Sequence, residues 1–235
     1  MEEQDRYILE ALEQTRVVRA PKQHLATFGS TSLRYFLVTE PAYSEIVKQD
    51  REVVLREGRI LARRPEVVTP AYVMNLVGFG EEARRTLGMM ARQYGPNSPG
   101  LQYTYQNEAL SLNIMSGKPE AVAENIKNDL DRNEDNLAVV IRAASVLWDV
   151  SLLKFIFEYT SASLAGNVGE LMGHRLLESD PSLGIPRGGV ERIERLFRQV
   201  ESGELPPSAL KQELDQWGLF SRYEDRFLGL FRKRR

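Results

Sequence analysis

The sequence predicts an α+β fold, with a small, mainly antiparallel sheet and flanking helices in the N-terminal half, followed by an all-helical C-terminal half. Three observations carry this expectation. Residues 25–39 and 52–68 are rich in β-branched and aromatic side chains. Residues 101–106 alternate Leu101, Tyr103 and Tyr105 with Gln102, Thr104 and Gln106, the period of a half-buried strand. After Ser116-Gly117-Lys118-Pro119 the apolar spacing becomes that of helices. A boundary near residue 117 thus separates an α+β region, 1–117, from a helical region, 118–235, unless the two form one continuous domain.

The elements follow in order. Residues 3–15 set Tyr7, Ile8, Ala11 and Leu12 on one helical face. TFGSTSLRYFLVT predicts a buried strand entered through a small-residue turn at Gly29-Ser30, with Arg34 the one charge in its second half. Glu40-Pro41 starts a short helix at 42–48, because proline suits the first helical turn. EVVLREGRILARRPEVV supplies two apolar runs joined across Arg56-Glu57-Gly58-Arg59, a β-hairpin whose second strand ends at Pro65. Residues 101–106 and 110–115 form a second expected hairpin, with one face near water.

Residues 119–131 read as a charged helix. Residues 137–164 read as an apolar one, broken near 149–151, because the stripe Arg142, Ser145, Asp149 does not continue in phase to Lys154 and Glu158. VERIERLFRQVESG predicts a surface helix with Val190, Ile193, Leu196, Phe197 and Val200 inside, the pairs Glu191–Arg195 and Glu194–Arg198 outside, and a Gly203 cap. Helices at 208–216 and 221–231 end the chain, the last opening on the capping box Ser221-Arg222-Tyr223-Glu224.

At 235 residues, 42% hydrophobic and 27% charged, the chain can bury a full core and is not of disordered composition. It has no cysteine, which removes disulfides, thiolate nucleophiles and Cys-based metal sites and favours a reducing cytoplasm. The acidic, amphipathic N-terminus does not resemble a secretory signal. The most apolar stretch, 137–165, carries Arg142, Asp149, Lys154 and Glu158, so no membrane span is expected. The net charge of -2 is unevenly placed. Residues 16–64 hold ten Lys or Arg against five acids, whereas residues 120–135 hold six acids against Lys127 and Arg132. Such segments form either a surface for a polyanion or faces that attract each other or a second subunit.

VVTPAYVMNLVGFGEEARR contains a Gly-x-Gly-x-x-Ala run like a dinucleotide-binding turn. Three facts oppose that reading. Thr69-Pro70 signals a helix start, placing residues 71–77 on a helix. Glu81 and Glu82 occupy the turn where a pyrophosphate would sit. The chain also lacks strand-helix alternation. Gly78-Phe79-Gly80 is then a break before a helix at 81–94, with Leu87 and Met90 inward.

The two histidines, His24 and His174, lie in different halves, so no histidine metal site is expected, and no cofactor motif is present. His174 is either a base beside Glu170 or Glu178 or a helix-end residue. Arg34, Tyr35, Arg63, Arg64, Tyr103 and Tyr105 would, on one sheet face, suit RNA or single-stranded DNA by stacking bases and neutralising phosphates. Phe220, Tyr223, Phe227 and Phe231 form a C-terminal stripe for a partner, or for the protein's own helices, ahead of a basic tail. The leading expectation is a non-catalytic cytoplasmic interaction or regulatory protein that binds a protein partner or itself. The alternatives are nucleic-acid binding through the Arg/Tyr face and an enzyme with a carboxylate or histidine site.

Overall fold

The computed structural model describes residues 3–41, 52–75 and 80–232. The helix expected at 42–48 and the Gly78-Phe79 break lie outside the described residues, as do the side chains of Leu87 and Met90. The elements are α1 (Glu3–Gln14), β1 (Arg16–Arg19), β2 (Thr31–Thr39), β3 (Glu52–Ala62), β4 (Glu66–Val68), α2 (Pro70–Met74), α3 (Glu81–Tyr94), β5 (Gly100–Gln102), β6 (Tyr105–Ser116), α4 (Pro119–Arg132), β7 (Ala138–Arg142), α5 (Trp148–Gly173), α6 (Arg187–Ser202), α7 (Pro207–Gln216) and α8 (Phe220–Arg232). The fold is α+β, with a mainly antiparallel sheet and a chain that is helical from α5 onward.

The chain folds as two compact units, Met1–Arg64 with Thr104–Val168, and Pro65–Tyr103 with Gly169–Arg235. Gly117 makes the turn from β6 into α4 inside the first unit.

The first unit is built on a five-stranded sheet in the order β1-β7-β2-β3-β6. Only β2 and β7 run parallel, with Arg34 opposite Ala138 and Val38 opposite Arg142. Residues 138–142 were expected to be helical, and β7 corrects this. A short, wholly apolar run has no period to separate strand from helix, and here Val139, Val140 and Ile141 are β-branched and fully buried between two neighbours.

Both expected hairpins are also replaced. Glu52–Ala62 is one continuous strand, paired along its length with β2 and β6 and bulged between Glu57 and Gly58. Gly58 is there to pass beneath the ring of Tyr35 rather than to turn, and Arg59 reaches across to Glu108 of β6. Residues 105–116 likewise form one strand, while residues 100–102 pair with β4 in the second unit.

The two sheet faces are covered by different helices. Phe36, Val38, Val53, Leu55 and Val140 pack with Val122, Ala123 and Leu130 of α4. On the other face α5 runs beside β3: the Arg56 guanidinium lies 5.4 Å from the Trp148 ring, and twelve residues on Thr160 meets the hydroxyl of Tyr105, which sits opposite Ala62. Leu152, Phe155 and Tyr159 form the buried line of this helix. Hydrogen bonds fix its position. Tyr159 donates to the Gln23 carbonyl at 2.6 Å, Asn167 to the Leu25 carbonyl at 2.8 Å, and Lys154 to the Leu12 carbonyl at 2.8 Å.

Part of the uneven charge resolves inside this unit. Arg19 and Lys22 pair with Asp131 at 3.0 and 3.1 Å and Arg34 with Asp135 at 3.1 Å, so three cations of the basic segment face the acidic one. Outside the basic segment, Arg142 pairs with Glu120 at 2.7 Å.

In the second unit, Tyr72, Ile193, Phe197, Val200, Leu210, Leu214 and Phe227 form the core. Thr69 caps α2, its hydroxyl accepting from the Tyr72 amide at 3.2 Å, with Pro70 in the first turn. Tyr72 therefore lies on a helix, and Glu81 and Glu82 open α3, which leaves the dinucleotide-binding reading without its strand. The inner face of α6 is as expected, and Gly203 takes the left-handed cap. Its outer pairs differ: Arg195 binds Glu66 at 2.6 Å and Glu194 binds Arg226 at 2.6 Å, because neighbouring elements supply partners better placed than one helical turn along. The helix α8 begins at Phe220, so Ser221 lies in its first turn rather than at the cap.

Candidate interaction surface

Arg34, Tyr35, Arg63, Arg64, Tyr103 and Tyr105 do not share one face. Arg34 and Tyr35 are neighbours on β2 and point to opposite sides of the sheet. Arg34 is ion-paired with Asp135, and its guanidinium lies 5.0 Å from the Phe36 ring. Tyr35 is 1% exposed; its hydroxyl donates to Asn107 at 3.0 Å, and burial pushes its pKa up. Tyr105 is half-buried against Thr160 of α5, and its pKa is likewise raised by burial. Arg63 is exposed just past β3, and its amide donates to the Thr104 carbonyl at 3.0 Å. Arg64 follows, half-buried, whereas Tyr103 belongs to the second unit.

The C-terminal stripe packs on its own unit. Phe227 is in the core, Phe220 and Tyr223 pack against it, and the rings of Phe220 and Phe231 stand 5.5 and 5.6 Å from that of Phe227. Phe231 remains half exposed. His174 follows the last turn of α5, its amide donating to the Glu170 carbonyl at 3.1 Å. Among the described residues no three His, Asp or Glu side chains are grouped to hold a metal ion, and no helix is long and apolar enough to cross a membrane.

Open cavities lined by described residues of the first unit include two with polar or apolar walls. One, of about 680 Å³, is lined by Tyr7, Ile8 and Ala11 of α1 and by Val146 and Leu147. The other, of about 510 Å³, holds Arg16 and Arg142, the latter already paired with Glu120.

A larger apolar feature lies along α5. Leu153, Phe157 and Leu164 are 65, 72 and 44% exposed and share one line of the helix with Thr160, by the spacing i, i+4, i+7, i+11. Thr160 touches Tyr105, so this line flanks β6. On β6 itself Leu110, Leu112 and Ile114 are each about 60% exposed. Leu112 stands opposite Arg56 and Ile114 opposite Val54, which places both on the sheet face that carries α5. Glu108 is tied to Arg59, and residues 109–116 carry no charge. The result is two sets of exposed apolar side chains, on α5 and on β6, beside a strand whose outer edge pairs with no described strand.

The apolar run 137–164 reads as core in the sequence, and that reading misses this flank. The available signal is a helix apolar on more than one side: Leu152 and Phe155 fill the inner line while Leu153 and Phe157 fall outside it. No protein-family model, curated protein or solved structure matches the chain.

Proposed function

We propose that the protein is a non-catalytic interaction protein whose α5–β6 flank docks another protein chain. The observation that carries this reading is the exposure of Leu153, Phe157 and Leu164 on the helix line that adjoins the uncharged edge strand β6. Large exposed apolar side chains grouped on one flank mark interaction sites. The most deeply buried carboxylate among the described residues is internally paired, which favours binding over catalysis. Glu213, the most deeply buried carboxylate of the second unit, is taken up by Tyr72, Trp217 and Arg192 rather than opening to a substrate. Arg34 and Arg59 are ion-paired, which leaves the nucleic-acid reading with less support. The cysteine-free sequence fits a cytoplasmic setting.

The test uses tagged wild-type protein, Phe157→Glu and the distant surface control Lys127→Glu, each recovered from the native cell with its bound chains identified by mass spectrometry. Wild type and K127E should retain the same partner chains, and F157E should lose them. Because Phe157 is exposed, F157E should change folding stability by no more than about 0.5 kcal/mol. Retention of every partner by F157E would overturn the assignment.

A further inference from the structure

We infer that the chain docked on this flank is a second copy of the protein, joined by antiparallel pairing of β6 with its own twin. The two sheets then become one of ten strands about a two-fold axis. This rests on the interaction reading above and names its partner.

The first argument is the state of the edge. Edge strands are ordinarily protected by charge, proline or strong irregularity, because unpaired amides and carbonyls recruit any passing strand. The bulge of β6 faces Glu57 and Gly58, and beyond it Ser111–Ser116 pairs regularly with Glu52–Glu57. That run contains neither charge nor proline. Among the described residues this run pairs with no strand on its outer side and carries neither of the commonest protections, charge or proline.

The second argument is self-complementarity. A two-fold axis relating two antiparallel edge strands stands perpendicular to the sheet and preserves its faces, so one residue opposes its own copy. With Asn113 at the axis, Leu112 of each copy meets Ile114 of the other on the α5 side, and no like charges are opposed. A strand bearing charges would rarely tolerate its own image, whereas this one does.

The third argument is coverage. Leu112 and Ile114, 60 and 61% exposed, lie beside the axis and pass from water into contact with their copies.

The test is sedimentation of the purified full-length protein across micromolar concentrations, alone and as Asn113→Lys and Asn113→Glu. Asn113 is exposed, so both variants should keep the wild-type circular dichroism and melting temperature. Wild type should be dimeric. Each variant alone opposes like charges at the axis and should dimerise at least about tenfold more weakly, while an equimolar mixture of the two should recover the dimer. A monomeric wild type, or variants that dimerise as well as wild type, would overturn the self-pairing. A monomeric wild type that still retains a different chain through Phe157 in cells would sink only this inference and leave the interaction reading standing.

Discussion

The phenol of Tyr35 lies across Gly58, where a β-carbon would stand 2.1 Å from the tyrosine oxygen. The two residues face each other between β2 and β3, and the tyrosine hydroxyl continues to Asn107 on β6, so one side chain ties three strands. Gly58→Ala should therefore cost about 2 kcal/mol in urea unfolding, since neither backbone nor ring has room to retreat. In a Tyr35→Ala background the same substitution should cost less than about 1 kcal/mol, because its clash is gone. Equal costs in the two backgrounds would show that the glycine serves something other than the ring. Tyr35→Phe keeps the packing and loses only the hydrogen bond, worth about 1 kcal/mol.

The same pairing of ring and glycine explains what could be read from the chain and what could not. The helices announced themselves through period and caps: Thr69-Pro70, Gly203 and the inner face of α6 all stand where local chemistry places them. Strand β2 was legible too, at Thr31–Thr39, but the extent and pairing of the other strands were not. Arg56-Glu57-Gly58-Arg59 has the composition of a turn, and only the ring of Tyr35, 23 residues earlier in the chain, makes the glycine a strand residue. Ala138–Arg142 pairs with β1 and β2, more than 100 residues away in sequence, and nothing local records that. The apolar flank was visible as residues but not as surface. Whether Phe157 is inside or outside depends on which line of α5 meets the sheet, which the positions of Arg56 and Tyr105 decide.

Arg19 should prove the anchor of the sheet's β1 edge. Its side chain is buried and donates to Asp131 at 3.0 Å and to the carbonyls of Ala138 and Asp135 at 2.6 Å each. Arg19→Met leaves two carbonyls short of a donor and should cost about 3 kcal/mol, with faster hydrogen exchange in β7. Arg19→Lys should recover little, since one ammonium cannot copy the planar fork. Hydrogen bonds from Arg19, then from Lys22, hold the Asp131 carboxyl below its ordinary pKa. A depressed acid contributes stability above the usual aspartate range that disappears as pH falls through its folded value. R19M should therefore show a shallower acid loss of stability than wild type; an unchanged acid limb would remove Arg19 as its cause.

Glu213 sets the opposite pH dependence in the second unit. It is 4% exposed, with one oxygen accepting from Trp217 at 2.8 Å and the other from Tyr72 at 3.2 Å and Arg192 at 2.9 Å. Burial pushes its pKa up, and Arg192 and the two hydrogen bonds pull it only part of the way back. A raised acid contributes stability that is fully present below the ordinary glutamate range and is lost as pH rises through the folded value. The stability difference between wild type and Glu213→Gln should thus shrink as pH rises across that window and level off above it, in urea unfolding followed by Trp217 fluorescence. Arg192→Met removes the charge that holds the pKa down, so the loss should extend to higher pH. Near neutral pH this variant should be about 3 kcal/mol less stable, or more, because a buried carboxylate is left without its counter-charge. Parallel pH profiles for wild type and E213Q would mean that Glu213 keeps its ordinary ionisation in the fold, with its three partners already offsetting the cost of burial.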